Sequence, residues 1–384
     1  MNEPWFKSKF RYSALGSDLQ IQIPFDVFST QRIDEGTLLL LDHLPSSSPA
    51  NILDMGCGYG ALGLPIAAHY PNTKVVMVDR DLLAVTWSKK NAENNSLANV
   101  RAWGSLGFRD VHEKFDWILC NVPARIGEPF IKNLIQLGCA RLNPDGELRV
   151  VVINDLAPMV SEMKLIIKGP RHSIYSINTS EISSKITPPE ILYHRDEVKI
   201  DGLSFDRPFD LGGDDQKRLR SGLPVLIDTL PKKIYIPEFK ILCFRSGYGQ
   251  LPLISRKRWP EARVVAIDRD LLGTTFTLHN AEKLGLNERL EVRENAHFPD
   301  AINPEEKFNL ILGELSPSAE EAVAFAEMQS IENALAKGGE ALILCLDKIE
   351  KDWVKKFASN SKLSIQKVVS RDGYTVVRMS KGAK

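Results

Sequence analysis

The residues best suited to chemistry lie in the stretch Ile52-Leu53-Asp54-Met55-Gly56-Cys57-Gly58-Tyr59-Gly60. An apolar run enters it and glycines occupy alternate positions, which predicts a strand that turns tightly into a helix. Glycines at these positions permit positive φ and let the backbone approach a ligand. A carboxylate beside the exposed amides would repel a phosphate but attract a cationic amine or a ribose hydroxyl. The loop therefore favours S-adenosylmethionine over a dinucleotide, and its candidate binding residues are Asp54, Gly56, Cys57, Gly58 and Gly60.

A second candidate strand ends in an acid. Val75-Val76-Met77-Val78 is followed by Asp79 and Arg80. In dinucleotide-binding folds a ribose-binding acid follows the glycine turn by roughly 20 residues, and Asp79 stands at about this distance from the glycine loop. An acid there can accept hydrogen bonds from both ribose hydroxyls. We therefore assign Asp79 and its neighbour Arg80 to the same cofactor site.

The third chemical element is Asn121-Val122-Pro123-Ala124, after the apolar run 115–120. The Asn121 amide oxygen and the backbone carbonyl held rigid before Pro123 are both hydrogen-bond acceptors. Placed about 3 Å from an exocyclic NH2 group, they would hold both hydrogens and aim the nitrogen lone pair at a sulfonium methyl. The alternative is that Asn121 only caps a turn.

An internal repeat determines the architecture. Residues 75–93 reappear as residues 264–282 at a constant offset of 189, and 11 of these 19 pairs are identical. Ile52-Leu53 and Gly58-Tyr59-Gly60 match Ile241-Leu242 and Gly247-Tyr248-Gly249 at the same offset. The 384 residues exceed one hydrophobic core, so we predict a tandem duplication, with domains at residues 1–180 and 181–384.

Each copy alternates strands with helices, which predicts α/β domains with doubly wound, mostly parallel sheets. In the first copy we expect β alternation at 19–23, a helix from Gly36, strands at 51–55, 74–78, 115–120, 148–153 and 173–177, helices at 60–69, 81–95 and 128–141, and a turn at 143–146. Residues 180–205 are expected to connect the copies.

Composition excludes several classes of protein. No apolar run of about 18 residues exists to cross a membrane, and the amino terminus lacks the pattern of a signal peptide, so we expect a cytoplasmic protein. The five cysteines and seven histidines are dispersed, so we expect reduced thiols and no metal site.

Acidic and basic residues number 49 each, so an RNA partner would have to bind local patches. Three candidates combine cations with aromatic or further basic residues: Lys7/Lys9/Arg11 among Phe6, Phe10 and Tyr12; Lys217/Arg218/Arg220; and Arg256/Lys257/Arg258 beside Trp259. Each is also explained as an ordinary solvated face.

The chain resembles the bacterial ribosomal RNA guanine-N2 methyltransferases, which are tandem duplications of a small methyltransferase domain. The resemblance is carried by Phe28-Ser29, Asp34-Glu35-Gly36-Thr37 with the run 38–41, the loop 54–60, Asp79, Asn121-x-Pro123 and the turn 142–148. It implies methyl transfer from S-adenosylmethionine to a guanine exocyclic amine in rRNA. By resemblance, Asp54, Gly56 and Gly58 would hold the methionine end, Asp79 the ribose, Ser105 would lie near the adenine, and Asn121 would orient the amine.

The chain differs from that family at one chemically important place. The family motif is Asn-Pro-Pro followed by an aromatic residue that stacks on the flipped base, whereas this chain has Val122 and Ala124 at the second and fourth positions. Phe28, Arg125 or Trp103 are candidates to replace the aromatic contact.

The second copy has lost the proposed site by substitution. Cys243 corresponds to Asp54, Arg245 to Gly56, and Glu314 to Asn121. We predict that the second copy binds no cofactor, supports the first, and presents Arg256, Lys257, Arg258 and Trp259 to RNA.

Three hypotheses about function remain at this point. The protein is an rRNA guanine-N2 methyltransferase, a methyltransferase for another acceptor such as a glutamine amide, a tRNA base or a small molecule, or a binding module without turnover.

Overall fold

The computed structural model describes residues 3–27, 32–178, 189–209, 222–232, 239–318 and 320–382. The chain forms two compact units, Phe6–His194 and Arg195–Lys384 together with Met1–Trp5. Each unit contains one seven-stranded sheet and one two-stranded hairpin. We refer to them as the amino-terminal and carboxyl-terminal units.

The amino-terminal unit begins with a hairpin and continues with alternating strands and helices. Its strands are β1 (Phe6–Ala14), β2 (Ser17–Pro24), β3 (Asn51–Met55), β4 (Lys74–Asp79), β5 (Val100–Gly104), β6 (Phe115–Asn121), β7 (Leu142–Ile153), β8 (Lys164–Lys168) and β9 (His172–Ile177). Its helices are α1 (Glu35–Asp42), α2 (Gly63–His69), α3 (Leu82–Asn94) and α4 (Glu128–Ala140), with short helical turns at Asn154–Val160 and Pro189–Leu192.

The large sheet of this unit has the strand order β5-β4-β3-β6-β7-β9-β8. Strands β3 to β7 pair in parallel, while β9 runs antiparallel to β7 and to β8. The order reverses direction at β3, so the carboxyl ends of β3, β4 and β6 share the edge where open α/β sheets bind ligands. The predicted fold class is confirmed.

Three details of this sheet differ from the sequence prediction. Strand β5 was not predicted, because none of its residues is fully buried and it lacks the apolar run of the central strands. The expected turn at 143–146 lies inside β7: Phe115 pairs with Leu142 and Trp117 with Glu147, so four residues loop out of the ladder. The edge strand β8 was not predicted, because its residues are mostly exposed and lack the alternation of a half-buried strand.

The carboxyl-terminal unit repeats this architecture. Its strands are β10 (His194–Ile200), β11 (Leu203–Pro208), β12 (Lys240–Phe244), β13 (Arg263–Asp268), β14 (Leu290–Glu294), β15 (Phe308–Glu314), β16 (Leu335–Leu346), β17 (Ser364–Arg371) and β18 (Tyr374–Ser380). Its helices are α5 (Leu223–Thr229), α6 (Gln250–Arg258), α7 (Leu271–Leu284) and α8 (Glu321–Ala334), with shorter helical segments at Phe298–Ala301, Asp347–Ile349, Glu350–Val354 and Lys355–Ala358. The sheet order, β14-β13-β12-β15-β16-β18-β17, is that of the first unit.

Much of the predicted connection between the copies is a hairpin, β10–β11, equivalent to β1–β2. A repeated asparagine explains how each hairpin is held. Asn91 Nδ2 donates to Gln22 O and Tyr59 O, each at 2.9 Å, and its Oδ1 accepts from Gln22 N. Asn280 makes the same contacts with Asp206 and Tyr248. This asparagine therefore fastens the hairpin to a helix and to the glycine loop in both units.

Candidate active site

The glycine loop after β3 borders open space. Gly56 and Gly58 have φ of 79° and 56°, and a Cβ added to either would meet no atom within 4 Å. A side chain at these positions would therefore be strained and would occupy the space beside the loop. At Gly60 a Cβ would instead lie 2.5 Å from Leu64, so this glycine serves packing against α2.

Asp79 fixes the shape of the loop. Its Oδ2 accepts from Gly58 N and its Oδ1 from Asp81 N, each at 2.9 Å. Burial raises the pKa of Asp79, although these hydrogen bonds and the charge of Arg80 oppose the shift. Each carboxylate oxygen retains acceptor capacity for a ribose hydroxyl.

Asp54 is more buried than the sequence suggested. The residue is 1% exposed, and its Oδ2 accepts from Gly63 N at 2.9 Å, which ties the end of β3 to α2. Burial and the charge of Asp79 raise the pKa of Asp54 to about 7. The equivalent positions of the second unit are Cys243 and Pro252, so the carboxylate and the N–H that it accepts from are both absent there.

The raised pKa of Asp54 predicts a pH-dependent stability. The folded state holds a proton on this group up to about pH 7, whereas the unfolded chain releases it near the ordinary value of about 4. Stability therefore falls as pH rises through this window, by about 2 to 3 kcal/mol between about pH 5 and about pH 8. Asp54→Asn lacks this titration. Denaturant unfolding at both pH values should show a smaller decline for the variant, and equal declines would contradict the prediction.

Cys57 lies within the glycine loop and Ser105 lies beside it, and the side chains of both make contacts within the protein. The Cys57 thiol is buried next to Ser88, and burial raises its pKa well above the ordinary value. Ser105 N donates to Asp79 O at 2.9 Å, while Ser105 Oγ donates to Gly107 O and accepts from Asp110 N. Ser105 thus lies at the rim next to Asp79, and its hydroxyl shapes the loop 105–110.

Asn121 lies directly beside the glycine loop. Met55 pairs with Cys120, so Asn121, the last residue of β6, and Gly56, directly after β3, come at the same edge of the sheet. Strand neighbours are about 4.8 Å apart. Asn121 is half-buried, and its Nδ2 donates to Asp34 Oδ2 at 2.7 Å and to Thr37 Oγ1 at 3.1 Å.

The contact of Asn121 with Asp34 and Thr37 was not predicted as functional. The signal in the sequence is the segment Asp34-Glu35-Gly36-Thr37, which also carries part of the family resemblance. Asp34 is the N-cap of α1 and accepts from Gly36 N at 2.9 Å and Thr37 N at 3.3 Å. The cap and the asparagine therefore share one carboxylate oxygen.

The substitution of proline by Val122 is explained by the sheet. Val122 N donates to Val151 O at 3.0 Å, a bond that proline cannot make. Because Val122 precedes Pro123, its backbone is restricted to an extended conformation. Ala124 and Arg125 follow on the exposed loop before α4.

The structure separates the candidates for the missing aromatic contact. Trp103 lies on β5, three strands from β6, a distance of about 14 Å. Its indole donates to Asp110 O and lies under Arg101, so the suggestion that Trp103 replaces the aromatic is wrong. Arg125 remains on the loop next to Asn121, and Phe28 lies outside the described residues.

The corresponding edge of the carboxyl-terminal unit is filled by an ion pair. Arg245 adopts φ of 50° where Gly56 has its positive φ. Its Nη1 donates to Glu327 Oε1 at 2.7 Å and to Glu314 O at 3.2 Å. Glu327 is 1% exposed and also accepts from Ser316 N. The arginine thus spans the ends of β12 and β15, where the first unit places Gly56 beside Asn121.

The proposed RNA patches are changed by the fold. On β1, alternation places Phe10 and Tyr12 on the opposite face from Lys9 and Arg11, and Arg11 pairs with Asp18. The residues of a cation–aromatic patch are therefore not combined on one face of this hairpin. Lys217, Arg218 and Arg220 lie outside the described residues.

The patch at the end of α6 requires a correction. Arg256 is buried and donates to Pro260 O and Ala262 O, each at 2.7 Å, and Trp259 is also buried. Arg258 pairs with Asp201. Arg256 and Trp259 therefore stabilise the end of the helix, and the prediction that they are presented to RNA is wrong.

Neither a metal centre nor a membrane segment is found in the described part of the chain. No group of three or more His, Cys, Asp or Glu residues there could hold a metal ion. None of its helices combines the length and the apolar character needed to span a bilayer.

Comparison with known proteins agrees with this architecture. The family model described as methyltransferase small domain matches residues 18–169. The uncharacterized protein YbxB of Bacillus subtilis is 32% identical over 149 residues, which are 38% of this chain and 74% of that protein. Ribosomal RNA small subunit methyltransferase C of Haemophilus influenzae is 33% identical over 159 residues, or 39% of this chain and 48% of the relative. The chain thus spans about half the length of this second relative.

A solved structure matches both units. The 16S rRNA N2 G1207 methyltransferase of T. thermophilus, solved in complex with AdoMet and guanosine, has a TM-score of 0.66 at 15% identity and covers 97% of this chain and 98% of its own. This likeness concerns the fold, including its duplication. The sequence match to the YbxB protein, which this chain covers over 74% of its length, together with the family model shows that the chain belongs to the methyltransferase small domain family, as the predicted resemblance implied.

Proposed function

We propose that the protein transfers the methyl group of S-adenosylmethionine to the exocyclic N2 amine of a guanine in ribosomal RNA. The observation that carries this proposal is the position of Asn121, whose amide is fixed at the sheet edge beside the open backbone of Gly56. The relatives support the same reaction, since one is named a ribosomal RNA small subunit methyltransferase and another an rRNA N2 G methyltransferase bound to AdoMet and guanosine.

The residues at the loop fit an adenosyl cofactor. The space beside Gly56 and Gly58 would admit a ligand against the main chain, because a Cβ there meets no neighbour within 4 Å. We assign the ribose to Asp79, the methionine end to Asp54, Gly56 and Gly58, and the adenine to the rim at Ser105. When bound, this cofactor supplies a methyl group already activated by the positive charge of its sulfonium.

The residues of this chain would then contribute mainly by positioning the target amine relative to the methyl group. Asn121 Oδ1 and the Val122 carbonyl, held before Pro123, would each accept one hydrogen of the target amine. This geometry orients the nitrogen lone pair for in-line attack on the methyl carbon. As the amine nitrogen gains its bond to the methyl carbon, the bond between that carbon and sulfur would break and its electron pair would stay on the departing thioether. The nitrogen afterwards releases a proton to solvent, so no strong base is required.

We further propose that the two units have different roles. The amino-terminal unit is catalytic, whereas the carboxyl-terminal unit supports it and binds no cofactor. The Arg245–Glu327 pair supports this division, because it occupies the sheet edge that a cofactor would need.

Methyl transfer with isotopically labelled cofactor tests the function. The full-length protein is incubated with protein-free rRNA, with ribosomal subunits from cells lacking the protein, or with a metabolite extract, and the RNA is digested to nucleosides. We expect the label in N2-methylguanosine. Label confined to the metabolite fraction, or to another nucleoside, would contradict the proposal.

Two observations favour a second candidate function. Position 124, where the family has its stacking aromatic, is an exposed alanine, and the chain has a formal net charge of +0. Both features suit a methyltransferase for another N–H acceptor, such as a glutamine amide, a tRNA base or a small molecule. The same labelling experiment, with a protein fraction and tRNA added, distinguishes these acceptors.

Restoring an aromatic at position 124 should improve the use of RNA. Stacking on a base contributes roughly 1–3 kcal/mol, so we expect Ala124→Tyr to lower the KM for RNA by about fivefold or more. Ala124→Ser, which changes polarity without adding a ring, serves as the control. Steady-state kinetics with saturating cofactor measure the effect. An unchanged KM for Ala124→Tyr would indicate that the base does not lie over this loop.

A further inference from the structure

The side-chain nitrogen of Asn121 is bound to the first turn of α1. Nδ2 donates to Asp34 Oδ2 at 2.7 Å and to Thr37 Oγ1 at 3.1 Å. Thr37 is 7% exposed and Asp34 is half-buried, so the Thr37 acceptor is largely shielded from competing water and the Asp34 acceptor partly so. The nitrogen of the carboxamide is therefore fully used within the protein.

The partner carboxylate is itself held in place. Asp34 Oδ2 also accepts from Gly36 N at 2.9 Å and from Thr37 N at 3.3 Å. These bonds cap the helix and prevent the carboxylate from turning away. If the Asn121 amide rotated by 180°, its oxygen would lie next to this carboxylate oxygen, which is repulsive. The structure therefore allows one orientation of the amide.

Gly36 adds a steric constraint. A Cβ at this position would lie 2.9 Å from Asp34 Oδ2, and 3.2 Å and 3.3 Å from Asn121 Oδ1 and Nδ2. The amide thus lies directly against the helix backbone. Any side chain larger than that of glycine at position 36 would occupy the space that the amide needs.

We propose that Asp34, assisted by Thr37, is the positioning residue that makes Asn121 present only an acceptor to the substrate. This inference rests on the proposed function, because it concerns the same methyl-acceptor site. With Nδ2 occupied and no described residue donating to Oδ1, the amide offers the substrate an acceptor, and a nucleophile must provide N–H to bind it. Asp34 therefore selects amino groups over keto oxygens and over unprotonated ring nitrogens, although it does not contact the substrate itself.

Two variants of Asp34 separate this role from helix capping. Serine and asparagine are both good N-caps, so Asp34→Ser and Asp34→Asn should keep α1 and the thermal stability. The asparagine oxygen can replace Oδ2 towards Asn121, whereas the shorter serine side chain cannot reach both the helix amides and Asn121. We expect kcat to fall roughly 10- to 100-fold in Asp34→Ser but to stay within about fivefold in Asp34→Asn.

Gly36→Ala provides an independent steric test. Alanine suits a helix, and its methyl group would push the Asn121 amide out of position. We expect a lower kcat with unchanged affinity for S-adenosylhomocysteine, measured by calorimetry, for this variant and for Asp34→Ser. Equal losses of kcat and of cofactor affinity would instead assign Asp34 a structural role and overturn the inference.

A readout that does not require activity completes the test. The Asn121 side-chain amide resonances, identified by their absence in Asn121→Ala, should be protected from solvent exchange in the wild type and in Asp34→Asn, and unprotected in Asp34→Ser. Identical protection in all three proteins would refute the inference. If these resonances respond as expected but guanine receives no methyl group, the proposed function fails while the positioning role stands.

Discussion

Asn121→Ala is expected to lose about 10²- to 10³-fold in kcat, while its affinity for the cofactor stays within about twofold. A rate loss of this size is usual when one preorganised polar group that holds a reacting centre is removed. The reason is geometric. Asn121 is bound by α1 and not by the glycine loop, whose shape depends on Asp79. Removing the amide would therefore eliminate the proposed acceptor for the target amine and leave the proposed cofactor pocket unchanged. Single-turnover methyl transfer gives the rate, and calorimetry with S-adenosylhomocysteine gives the affinity.

Two further variants make this result specific. Asn121→Asp retains an acceptor but places a second carboxylate next to Asp34. In the native protein Asn121 Nδ2 lies 2.7 Å from Asp34 Oδ2, so the two carboxylates would repel each other. We expect this variant to be as impaired as Asn121→Ala. Asn95→Ala removes an asparagine that bonds to Gln20 on the hairpin, and it should leave kcat unchanged. Parallel losses of rate and affinity in Asn121→Ala would show that the residue is structural.

Gly56→Arg is expected to abolish cofactor binding, with a decrease in affinity of at least about 100-fold, because the arginine would fill the open space beside the loop. The carboxyl-terminal unit indicates that the fold tolerates this change, since Arg245 adopts the same left-handed backbone at the equivalent position, with φ of 50°. The expected result is therefore a folded protein without a functional site. Calorimetry measures the affinity, and circular dichroism checks the fold.

Gly16→Arg is the matched control for backbone strain. Gly16 lies in the β1–β2 turn with φ of 76°, and a Cβ there meets no atom within 4 Å, as at Gly56. Both variants therefore carry similar strain and added charge, but only Gly56→Arg should lose cofactor binding. Retained binding in Gly56→Arg would place the cofactor elsewhere in the chain.

Gly56→Arg also tests, within the intact chain, whether the carboxyl-terminal unit binds the cofactor. Any binding that survives in Gly56→Arg would have to come from a second site. We expect none, because Cys243 and Pro252 replace the Asp54–Gly63 contact and Arg245 is paired with buried Glu327. If Gly56→Arg still bound one equivalent of cofactor, the proposal that the carboxyl-terminal unit binds no cofactor would be contradicted.

Sequence repetition revealed the duplication but not the purpose of every repeated residue. Asp79 and Asp268 recur because each holds the glycine loop, through Gly58 N at 2.9 Å and Gly247 N at 2.8 Å. Asn91 and Asn280 recur because each fastens a hairpin. Asp268 therefore has a structural reason to persist in a unit that lacks the rest of the site.

The sequence alone determined the fold class, the duplication and the glycine loop beside Asp79. These features depend on local patterns, namely apolar runs of strand length, glycines at alternate positions and a repeat at constant spacing. The tertiary structure decided how Asn121 is oriented and which nearby residues are accessible. Asp34 and Asn121 are 87 residues apart, and no local pattern encodes their contact, because it forms only when α1 packs beside the end of β6. In the same way, the fold buries Arg256 and separates Trp103 from the site, although both look available in the linear sequence.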